Sequence, residues 1–353
     1  MPIVIGIGVL ALLILIHELG HFLCARLFKI PVEVFSIGFG PPIYEYEGKY
    51  TKYRISAIPF GGYVKLFGEE EVPEDVDPEL ERLAFKNRSY LEKILVVLAG
   101  PMANLIFAWI LLVVVHMIGI PVLQPVIGEV IKDSPAYMAG LKRGDRIIKI
   151  DGRDIDSWDK IAKYIQENPN REISLTILRD NSIVTIKIKP KEEILENIFG
   201  EKRKVGIIGI KPLGTVTKKS YPFIKAIEEG TTKFYNIIYL TLKSLVKLIE
   251  RAIPIGSIGG PIMIVQMAKE QASQGSSQLL FFMSLISVNL GILNLLPIPI
   301  LDGGHAMIFT IEAILRKQLS QKAKELVSYL GLVIILSIMI IAFYNDLMRL
   351  IVR

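Results

Sequence analysis

The sequence predicts an α-helical polytopic membrane protein with four transmembrane helices, a β-hairpin and one extracytoplasmic α+β domain. Hydrophobic residues make up 51% of the 353 residues, and the mean hydropathy is +0.46, which is high for a soluble protein. Four apolar stretches are close to or above the roughly 20 residues that cross a hydrocarbon core. A long, more polar segment with strand-like patterns separates the second stretch from the third.

The apolar stretches divide the chain into membrane and water-exposed parts. Residues 94–120 and 279–301 contain no charged side chain, and residues 326–344 are apolar except for two serines. The expected organisation, in chain order, is transmembrane helix 1 with a metal motif (1–28), a cytoplasmic loop with the hairpin (29–92), transmembrane helix 2 (93–120), the extracytoplasmic domain (121–212), amphipathic interfacial helices (213–277), transmembrane helix 3 (278–301), a cytoplasmic loop (302–325), and transmembrane helix 4 with a tail (326–353).

The charge distribution predicts the orientation in the membrane. We expect the first stretch to be a retained helix, because it has neither a basic leading region nor an A-x-A cleavage site. Lysine and arginine are frequent in 29–93 and 316–324, so the positive-inside rule places both connections in the cytoplasm. The segment 121–277 then lies outside the cytoplasm. The net charge of +6 says little about a membrane protein, and we expect no nucleic-acid partner.

The pentapeptide HELGH at 17–21 ends the first apolar stretch and predicts a zinc site. Ionisable side chains at membrane depth are costly and mark functional sites by default. Residues four apart share one helix face, so His17 and His21 can bind the same ion. Catalytic zinc takes three protein ligands and one water, and Glu18 is placed to act as the general base on that water. The single cysteine, Cys24, is expected to be a small packed residue rather than a ligand.

The third ligand is expected near the break in the third apolar stretch. The sequence there is NLLPIPILDGGH, from 294 to 305. Pro297 and Pro299 cannot continue a helix, and broken backbone at membrane depth is tolerated only inside protein or beside a wet cavity. Asp302 follows the break directly and is the best candidate, with His305 in reserve. The remaining histidine, His116, is expected to pack or to lie at the membrane interface.

The water-exposed segments favour β structure. Tyrosine and isoleucine are frequent in 43–69, where residues 47–49 are a plausible hairpin turn. In the middle segment we expect tight turns at 151–152 and 179–182, with the second turn joining strands at 173–178 and 183–188. We expect Asp156 to cap a helix at 157–166. This arrangement resembles one PDZ domain, a module that binds extended chain ends by strand addition.

These motifs together resemble the site-2 protease family of intramembrane zinc metalloproteases, closest to its bacterial regulator-of-sigma-E protease branch. That family pairs H-E-x-x-H with a later N-x-x-P-x-P-x-L-D-G, which this chain matches without departure at 17–21 and 294–303. The resemblance implies that His17, His21 and Asp302 bind Zn²⁺ and that Glu18 is catalytic. It also implies that Asn294, Pro297 and Pro299 contact the substrate.

Further stretches resemble the same family. AGPMAN at 99–104 matches its G-P-x-x-N element, so Asn104 could donate a polar group to the site, with plain helix packing as the alternative. The family places the hairpin in the membrane near the metal, where we expect it to guide substrate; the alternative is an ordinary surface hairpin. The family's PDZ domain lies outside the cytoplasm. In this chain we expect it to screen substrates by bulk or to bind a freshly cut chain end. The alternative is that it merely covers the membrane domain. SIGGP at 257–261 resembles a family turn that precedes an amphipathic helix.

The expected function is zinc-dependent endoproteolysis in the bacterial inner membrane, with the zinc site towards the cytoplasm. The resemblance implies single-span membrane substrates, such as anti-sigma factors or signal-peptide remnants, in contact with the lipid bilayer. One alternative is a non-catalytic PDZ scaffold, which would leave the metal motif unexplained. A metal transporter is the other alternative, but it would more often show inverted repeats, and none stands out here.

Overall fold

The structure is a computed structural model that describes residues 2–69, 76–197 and 199–351. The chain forms two compact units. The first unit combines residues 1–115 with 223–353, and the second is His116–Pro222.

The helices and strands follow in chain order. The helices are α1 (Pro2–Leu27), α2 (Pro78–Leu83), α3 (Tyr90–Ile118), α4 (Pro135–Met138), α5 (Trp158–Gln166), α6 (Phe223–Ile249), α7 (Pro261–Gln274), α8 (Ser276–Asn294), α9 (Asp302–Leu315) and α10 (Gln321–Ile351). The strands are β1 (Val32–Glu47), β2 (Lys52–Leu66), β3 (Ile120–Leu123), β4 (Ile127–Val130), β5 (Arg146–Ile150), β6 (Arg153–Asp154), β7 (Ile173–Arg179), β8 (Ser182–Ile188), β9 (Lys191–Glu196), β10 (Lys202–Ile207), β11 (Ile210–Pro212) and β12 (Val216–Lys219).

Among the described residues, four helices, α1, α3, α8 and α10, are long and apolar enough to cross a membrane. They correspond to the four predicted stretches. The third is shorter than expected, because α8 ends at Asn294 before the two prolines. The segment expected to be a loop at 302–325 contains α9, whose apolar residues recur at helical spacing.

The hairpin of the first unit folds into a small mixed sheet, in which the two middle rows run parallel to each other and each outer row runs antiparallel to its neighbour. Each of the two long strands contributes two rows, so the sheet has four. Ser36, for example, pairs with Tyr63 on one side and with Arg54 on the other. Strand β1 bends near Gly38 and Gly40, where positive φ angles of 92° and 86° suit glycine. The rows therefore run in the order 60–66, 32–39, 52–58 and 42–47, which leaves the first and the last as edges.

Three apolar clusters lie in the described part of the first unit, and one of them joins α3, α6 and α8 through Ala108, Leu112, Ile237, Val288 and Ile292. In another, Val9 and Leu13 of α1 pack with Leu111 of α3, Ala268 of α7 and Phe282 of α8. The third cluster lies around the start of the sheet and combines the end of α1 with the beginning of α3; its buried members are Ala25, Ile30, Val32, Leu66, Phe85 and Val96. Cys24 packs against this third cluster, as expected for a small apolar residue. The sheet is thus anchored beside the HELGH end of α1.

Helices α6 and α7 occupy the segment expected to hold amphipathic helices, and α7 begins directly after the SIGGP turn. Helix α6 is one continuous helix. Its buried residues Ala226, Gly230 and Ile237 lie on one face. Large apolar side chains such as Ile224 and Ile249 are exposed on α6. A helix with this division packs against protein on one side and offers apolar surface on the other.

The second unit is built around isoleucine. Strands β6, β5, β7 and β8 form a four-stranded antiparallel sheet. The buried core of the second unit includes Ile127, Ile147, Ile150, Ile161, Ile165, Ile173, Leu175, Ile177, Ile188 and Ile208. In β7 alternate residues are buried, which is the period of a strand with one covered face. The predicted strands and both predicted turns are present, and the turns show the positive φ angles of two-residue hairpins at Asp151–Gly152 and Asp180–Asn181.

The predicted helix cap in this unit is wrong. Ser157, rather than Asp156, occupies the N-cap position of α5, and its side chain makes no capping bond. The Asp156 carboxylate instead accepts a hydrogen bond from Lys160 Nζ at 2.9 Å and another from Lys219 Nζ. Charge-assisted bonds of this kind are stronger than a bond from a neutral backbone amide. Lys219 comes from β12, 63 residues later, so local sequence could not indicate it.

Candidate metal centre

The centre begins on α1, which is continuous through the HELGH motif. His17 and His21 lie one turn apart with their ring centroids separated by 4.8 Å. Their Nε2 atoms approach to 3.2 Å and point to the same place. Two ring nitrogens this close and facing the same point are an arrangement that could hold one metal ion.

Asp302 completes the cluster from the other end of the chain. Its Oδ2 lies 3.1 Å from His17 Nε2, and its Oδ1 lies 3.4 Å from His21 Nε2. A tetrahedral zinc site with arms of about 2.0–2.1 Å has ligand-to-ligand edges of about 3.3–3.4 Å. The separation of the two nitrogens and the distance from each nitrogen to the Asp302 oxygen it faces are close to these edges, and the three ligand atoms, one per residue, all lie within 4.8 Å of one another. Among the described residues, these three form the one group of His, Cys, Asp or Glu with converging ligand atoms.

The loop between α8 and α9 delivers Asp302 through a tight reversal. Ile300 has φ of 83°, a strained value for a β-branched residue. A Cβ on Gly303 would lie 2.3 Å from the carbonyl oxygens of Leu295 and Leu296. A Cβ on Gly304 would lie 2.3 Å from the carbonyl oxygen of Ile298. The two glycines after Asp302 are thus required sterically, because the loop folds directly onto the first turn of α9.

Helix α3 supports α1 from behind. A Cβ on Gly20 would lie 2.3 Å from the carbonyl oxygen of Ala99, so the two helices cross in backbone contact. Gly100 lies against the His21 ring, where a Cβ would come within 2.2 Å of Nε2. His21 Nδ1 is 2.8 Å from the carbonyl oxygen of Val96, and this bond leaves Nε2 free to bind a metal. The AGPMAN stretch therefore acts partly through close packing of small residues.

Glu18 is buried beside the cluster, with 9% of its surface exposed. The sheet covers it, since a Cβ on Gly62 would lie 2.9 Å from Glu18 Cγ. The edge row 60–66 thus passes directly over the candidate base. Sequence reasoning missed this contact, although a Gly61-Gly62 pair inside a strand pattern signals close backbone approach.

Two asparagines face His17. The side-chain amide nitrogen of Asn104 is 3.5 Å from His17 Nδ1, and that of Asn294 is 3.5 Å from Nδ1 and 3.4 Å from Nε2. Asn104 is fully buried, whereas Asn294 is partly exposed. Pro297 is exposed in the reversal, and Pro299 packs against Gly331 of α10.

The other histidines stand apart from the cluster. His305 is exposed, and its ring centroid lies 6.4 Å from that of Phe309 on the next turn of α9. His116 is buried in the second unit near Tyr221. The expectation that Asp302 rather than His305 approaches the two motif histidines agrees with this geometry.

Comparisons with known proteins agree on one family. The profile of peptidase family M50 matches residues 5–338. A Campylobacter jejuni protein named "Putative zinc metalloprotease" is 38% identical over 97% of this chain and 92% of its own. A Clostridium acetobutylicum protein of the same name is 34% identical, covering 98% and 96%. The regulator of sigma-E protease of Salmonella typhimurium is 29% identical over 98% of both chains.

Solved structures match a smaller part of the chain. The crystal structure of the PDZ domain of an SdrC-like protein from Listeria innocua is 25% identical and covers 25% of this chain and 92% of its own, with a TM-score of 0.20.

The family profile covers most of the chain, and relatives above 30% identity span nearly all of it. The family and the names of these relatives agree on zinc as the cofactor. Four helices of membrane-spanning length and composition agree with a bacterial multi-pass inner-membrane enzyme. The chain belongs to peptidase family M50, the site-2 protease family of intramembrane zinc metalloendopeptidases.

Proposed function

We propose that the protein cuts a peptide bond within or beside the transmembrane helix of a single-span membrane protein, with His17, His21 and Asp302 holding the zinc and Glu18 as the general base. The observation that carries this proposal is the convergence of three ligand side chains beside a buried glutamate: the two Nε2 atoms lie 3.2 Å apart, and each lies 3.1–3.4 Å from one oxygen of Asp302. The edge distances match a tetrahedral zinc site with one position left for water.

When bound, zinc supplies a Lewis acid that polarises the scissile carbonyl and lowers the pKa of a bound water. The Glu18 carboxylate then accepts a proton from the attacking water and passes it to the leaving amide nitrogen. Its burial against Gly62 fixes the side chain and limits competition from bulk water. Proton transfer by a positioned carboxylate contributes about 10²–10⁴-fold to a rate.

The substrate backbone would be held by the reversal after α8. Asn294 is partly exposed and lies within 3.5 Å of the His17 ring, so its amide can donate to a substrate carbonyl at the centre. Pro297 and Pro299 interrupt the helical hydrogen bonding beside it and end α8 at Asn294, so an extended substrate chain laid along this reversal would present its own peptide groups to the Asn294 amide. A helical substrate must unwind to use these groups, because side chains surround its peptide bonds.

The small sheet would keep the unwound substrate extended. An extended peptide can add to a free sheet edge through backbone hydrogen bonds. The row 60–66 is such an edge, and its Gly62 lies against Glu18, so a strand paired there would run beside the candidate base. In this proposal the hairpin lies in the membrane and guides substrate to the metal.

The proposed orientation in the membrane rests on the distribution of lysine and arginine, and the proposed substrate class rests on the second unit. The Lys/Arg-rich connections favour a cytoplasmic location for the sheet and for the metal end of α1. The second unit then lies outside the cytoplasm, where we propose that it acts as a PDZ domain and binds free chain ends. This arrangement suits substrates already shortened by another protease, such as an anti-sigma factor or a signal-peptide remnant.

The test is cleavage of a tagged single-span substrate by the purified protein, with the cut mapped by mass spectrometry. We expect a cut within or next to the apolar span, loss of cleavage with a chelator, and recovery with added zinc. Glu18→Gln should bind zinc normally but turn over about 10²–10⁴-fold more slowly. Full turnover by Glu18→Gln, or cuts only far from the span, would contradict the proposal.

A further inference from the structure

The two histidines of the centre differ in how their outer ring nitrogens are satisfied. A neutral imidazole that binds a metal through Nε2 carries its proton on Nδ1, which then needs a hydrogen-bond acceptor. For His21 the acceptor is the carbonyl oxygen of Val96 at 2.8 Å. For His17, the side-chain amide nitrogens of Asn104 and Asn294 lie 3.5 Å from Nδ1.

Asn294 is badly placed to accept this bond. Its amide nitrogen is 3.5 Å from His17 Nδ1 and 3.4 Å from Nε2, so it lies almost equally far from the two nitrogens rather than along the Nδ1–H direction. An acceptor for Nδ1–H must instead lie along the N–H direction, away from Nε2. Asn294 is also partly exposed, which leaves it available to a substrate.

The side-chain oxygen of Asn104 needs a hydrogen-bond donor, just as Nδ1–H of His17 needs an acceptor. The residue has no exposed surface, and no described residue donates a hydrogen bond to its buried Oδ1. Its amide NH₂ group faces His17 Nδ1 at 3.5 Å, which would set two donors against each other once Nε2 binds a metal. Amide oxygen and nitrogen are assigned from their partners, and the half-turn that exchanges them costs no space. After that half-turn, Oδ1 faces Nδ1–H and both groups gain a partner.

The backbone around Asn104 is held firmly. Its carbonyl oxygen accepts a 2.8 Å hydrogen bond from Ser287 Oγ of α8, in a fully buried contact. Val96 and Asn104 lie two turns apart on α3, and His17 and His21 lie one turn apart on α1. One helix thus supports both imidazoles, the first through a side chain and the second through a backbone carbonyl.

We propose that Asn104 is a positioning residue: its Oδ1 accepts the His17 Nδ1 proton and fixes the tautomer and ring orientation that present Nε2 to zinc. The proposal rests on the proposed function, since it takes His17 as a zinc ligand. It differs from the expectation that Asn104 donates a polar group to the reaction site, because a residue with no exposed surface cannot reach a substrate.

The test compares three replacements of Asn104 by zinc affinity, measured by competition with graded chelator, and by kcat and KM on a single-span substrate. Asn104→Ala should weaken zinc binding about 10–100-fold, the usual cost of losing a partner of a metal-bound histidine. Asn104→Asp should stay within a few-fold of the unaltered protein, because a carboxylate accepts the same proton. Asn104→Leu, which fills the space without an acceptor, should behave like alanine.

Other roles predict different patterns. A substrate-binding role predicts unchanged zinc affinity in all three variants with a raised KM. A packing role predicts that leucine retains zinc and that aspartate, a buried charge, loses it. Either pattern would overturn the proposal. The matched control is Asn294→Ala, which should retain zinc affinity and lose turnover.

Two further measurements keep the outcome decisive. Thermal unfolding of each metal-free variant separates misfolding from weak binding, and if alanine does not fold, the aspartate and leucine variants decide. Zinc binding by the unaltered protein and by His17→Ala tests the proposed function separately. Absence of zinc binding in the unaltered protein would refute that function, whereas normal binding together with loss in Asn104→Asp would refute only the role of Asn104.

Discussion

The metal centre and the core of the second unit are stabilised in different ways. The core is a cluster of isoleucines on adjoining strands and one helix, and its turns are set by neighbouring residues such as Asp151 and Gly152. The candidate metal centre brings positions 17 and 302 together, with Gly20 and Gly303 in close backbone contacts beside it and Gly100 against the His21 ring. Apolar cores tolerate substitutions that keep the volume of the side chain. The glycines around the candidate centre are packed so closely that they leave no room for an added Cβ atom. Substitutions in the two regions should therefore affect different properties.

The largest expected effect is on the stability of the second unit. Asp145, with 1% of its side chain exposed, accepts hydrogen bonds from Arg179 Nε at 2.7 Å and Nη2 at 2.6 Å. Arg179→Met would leave that carboxylate buried without its ion pair, at a cost of about 3 kcal/mol. We expect the second unit to unfold at lower temperature while zinc affinity is unchanged.

This change can be followed by fluorescence in a single-tryptophan background. The chain has two tryptophans, Trp109 on α3 and Trp158 on α5, so Trp109→Phe leaves a probe in the second unit only. The conservative Arg179→Lys should recover part of the loss. An unaltered transition in Arg179→Met would show that the pair contributes little.

The next effect tests the close crossing of α1 and α3. A Cβ on Gly20 would lie 2.3 Å from a backbone carbonyl, which cannot move aside cheaply, whereas one on Gly8 of the same helix meets nothing within 4 Å. Because a displacement of about 1 Å near an active site can cost about 10²-fold in rate, we expect Gly20→Ala to lose roughly that factor. Gly8→Ala should keep full activity.

The comparison is made on kcat/KM, with zinc affinity as the second readout. Equal activity of the two alanine variants would show that the helices can separate without harm, and the centre would then be less constrained than its contacts indicate.

The smallest effect is a pH dependence in the second unit. The Asp151 carboxylate accepts a 2.7 Å bond from the Ser174 backbone N–H and a 2.9 Å bond from Tyr164 Oη, and these bonds lower its pKa. A lowered pKa means that the carboxylate stabilises the fold above its unfolded-state pKa of about 3.9, and that this contribution fades as the pH falls towards the native value.

Asp151→Asn should therefore cost about 1–2 kcal/mol at neutral pH and flatten the acid limb of the unfolding profile. The same Trp158 probe measures it, as the pH is lowered from about 6 through the unfolded-state pKa of about 3.9. An acid limb of unchanged slope would show that other carboxylates carry the pH dependence.

Local patterns in the sequence predicted much of the fold. The four apolar helices, the hairpin and the two-residue turns follow from composition, period and turn residues, all of which act over a few positions. The HELGH motif and the Pro-Pro-Asp break indicated His17, His21 and Asp302, because each signal is contained in one short stretch. Helix α9 was missed, since its apolar spacing follows directly after a break that reads as the start of a loop.

The residues that support the centre could not be predicted in this way. Val96 acts through its carbonyl oxygen, which every residue has, and Gly62 acts through the absence of a side chain. Both depend on which helix or strand passes beside α1, and that is decided by tertiary packing. The cap at Asp156 failed for the same reason, because a distant lysine competes for its carboxylate.

The most direct test of the central claim is the metal environment itself. X-ray absorption at the zinc edge, with metal content measured on the same sample, should give one zinc per chain bound by two imidazoles and oxygen ligands. Asp302→Ala should lose most of the zinc under a chelator concentration that leaves the Glu18→Gln sample loaded. Zinc retained by Asp302→Ala with unaltered affinity, or a spectrum without two imidazoles, would contradict the convergence of the two motifs on one ion.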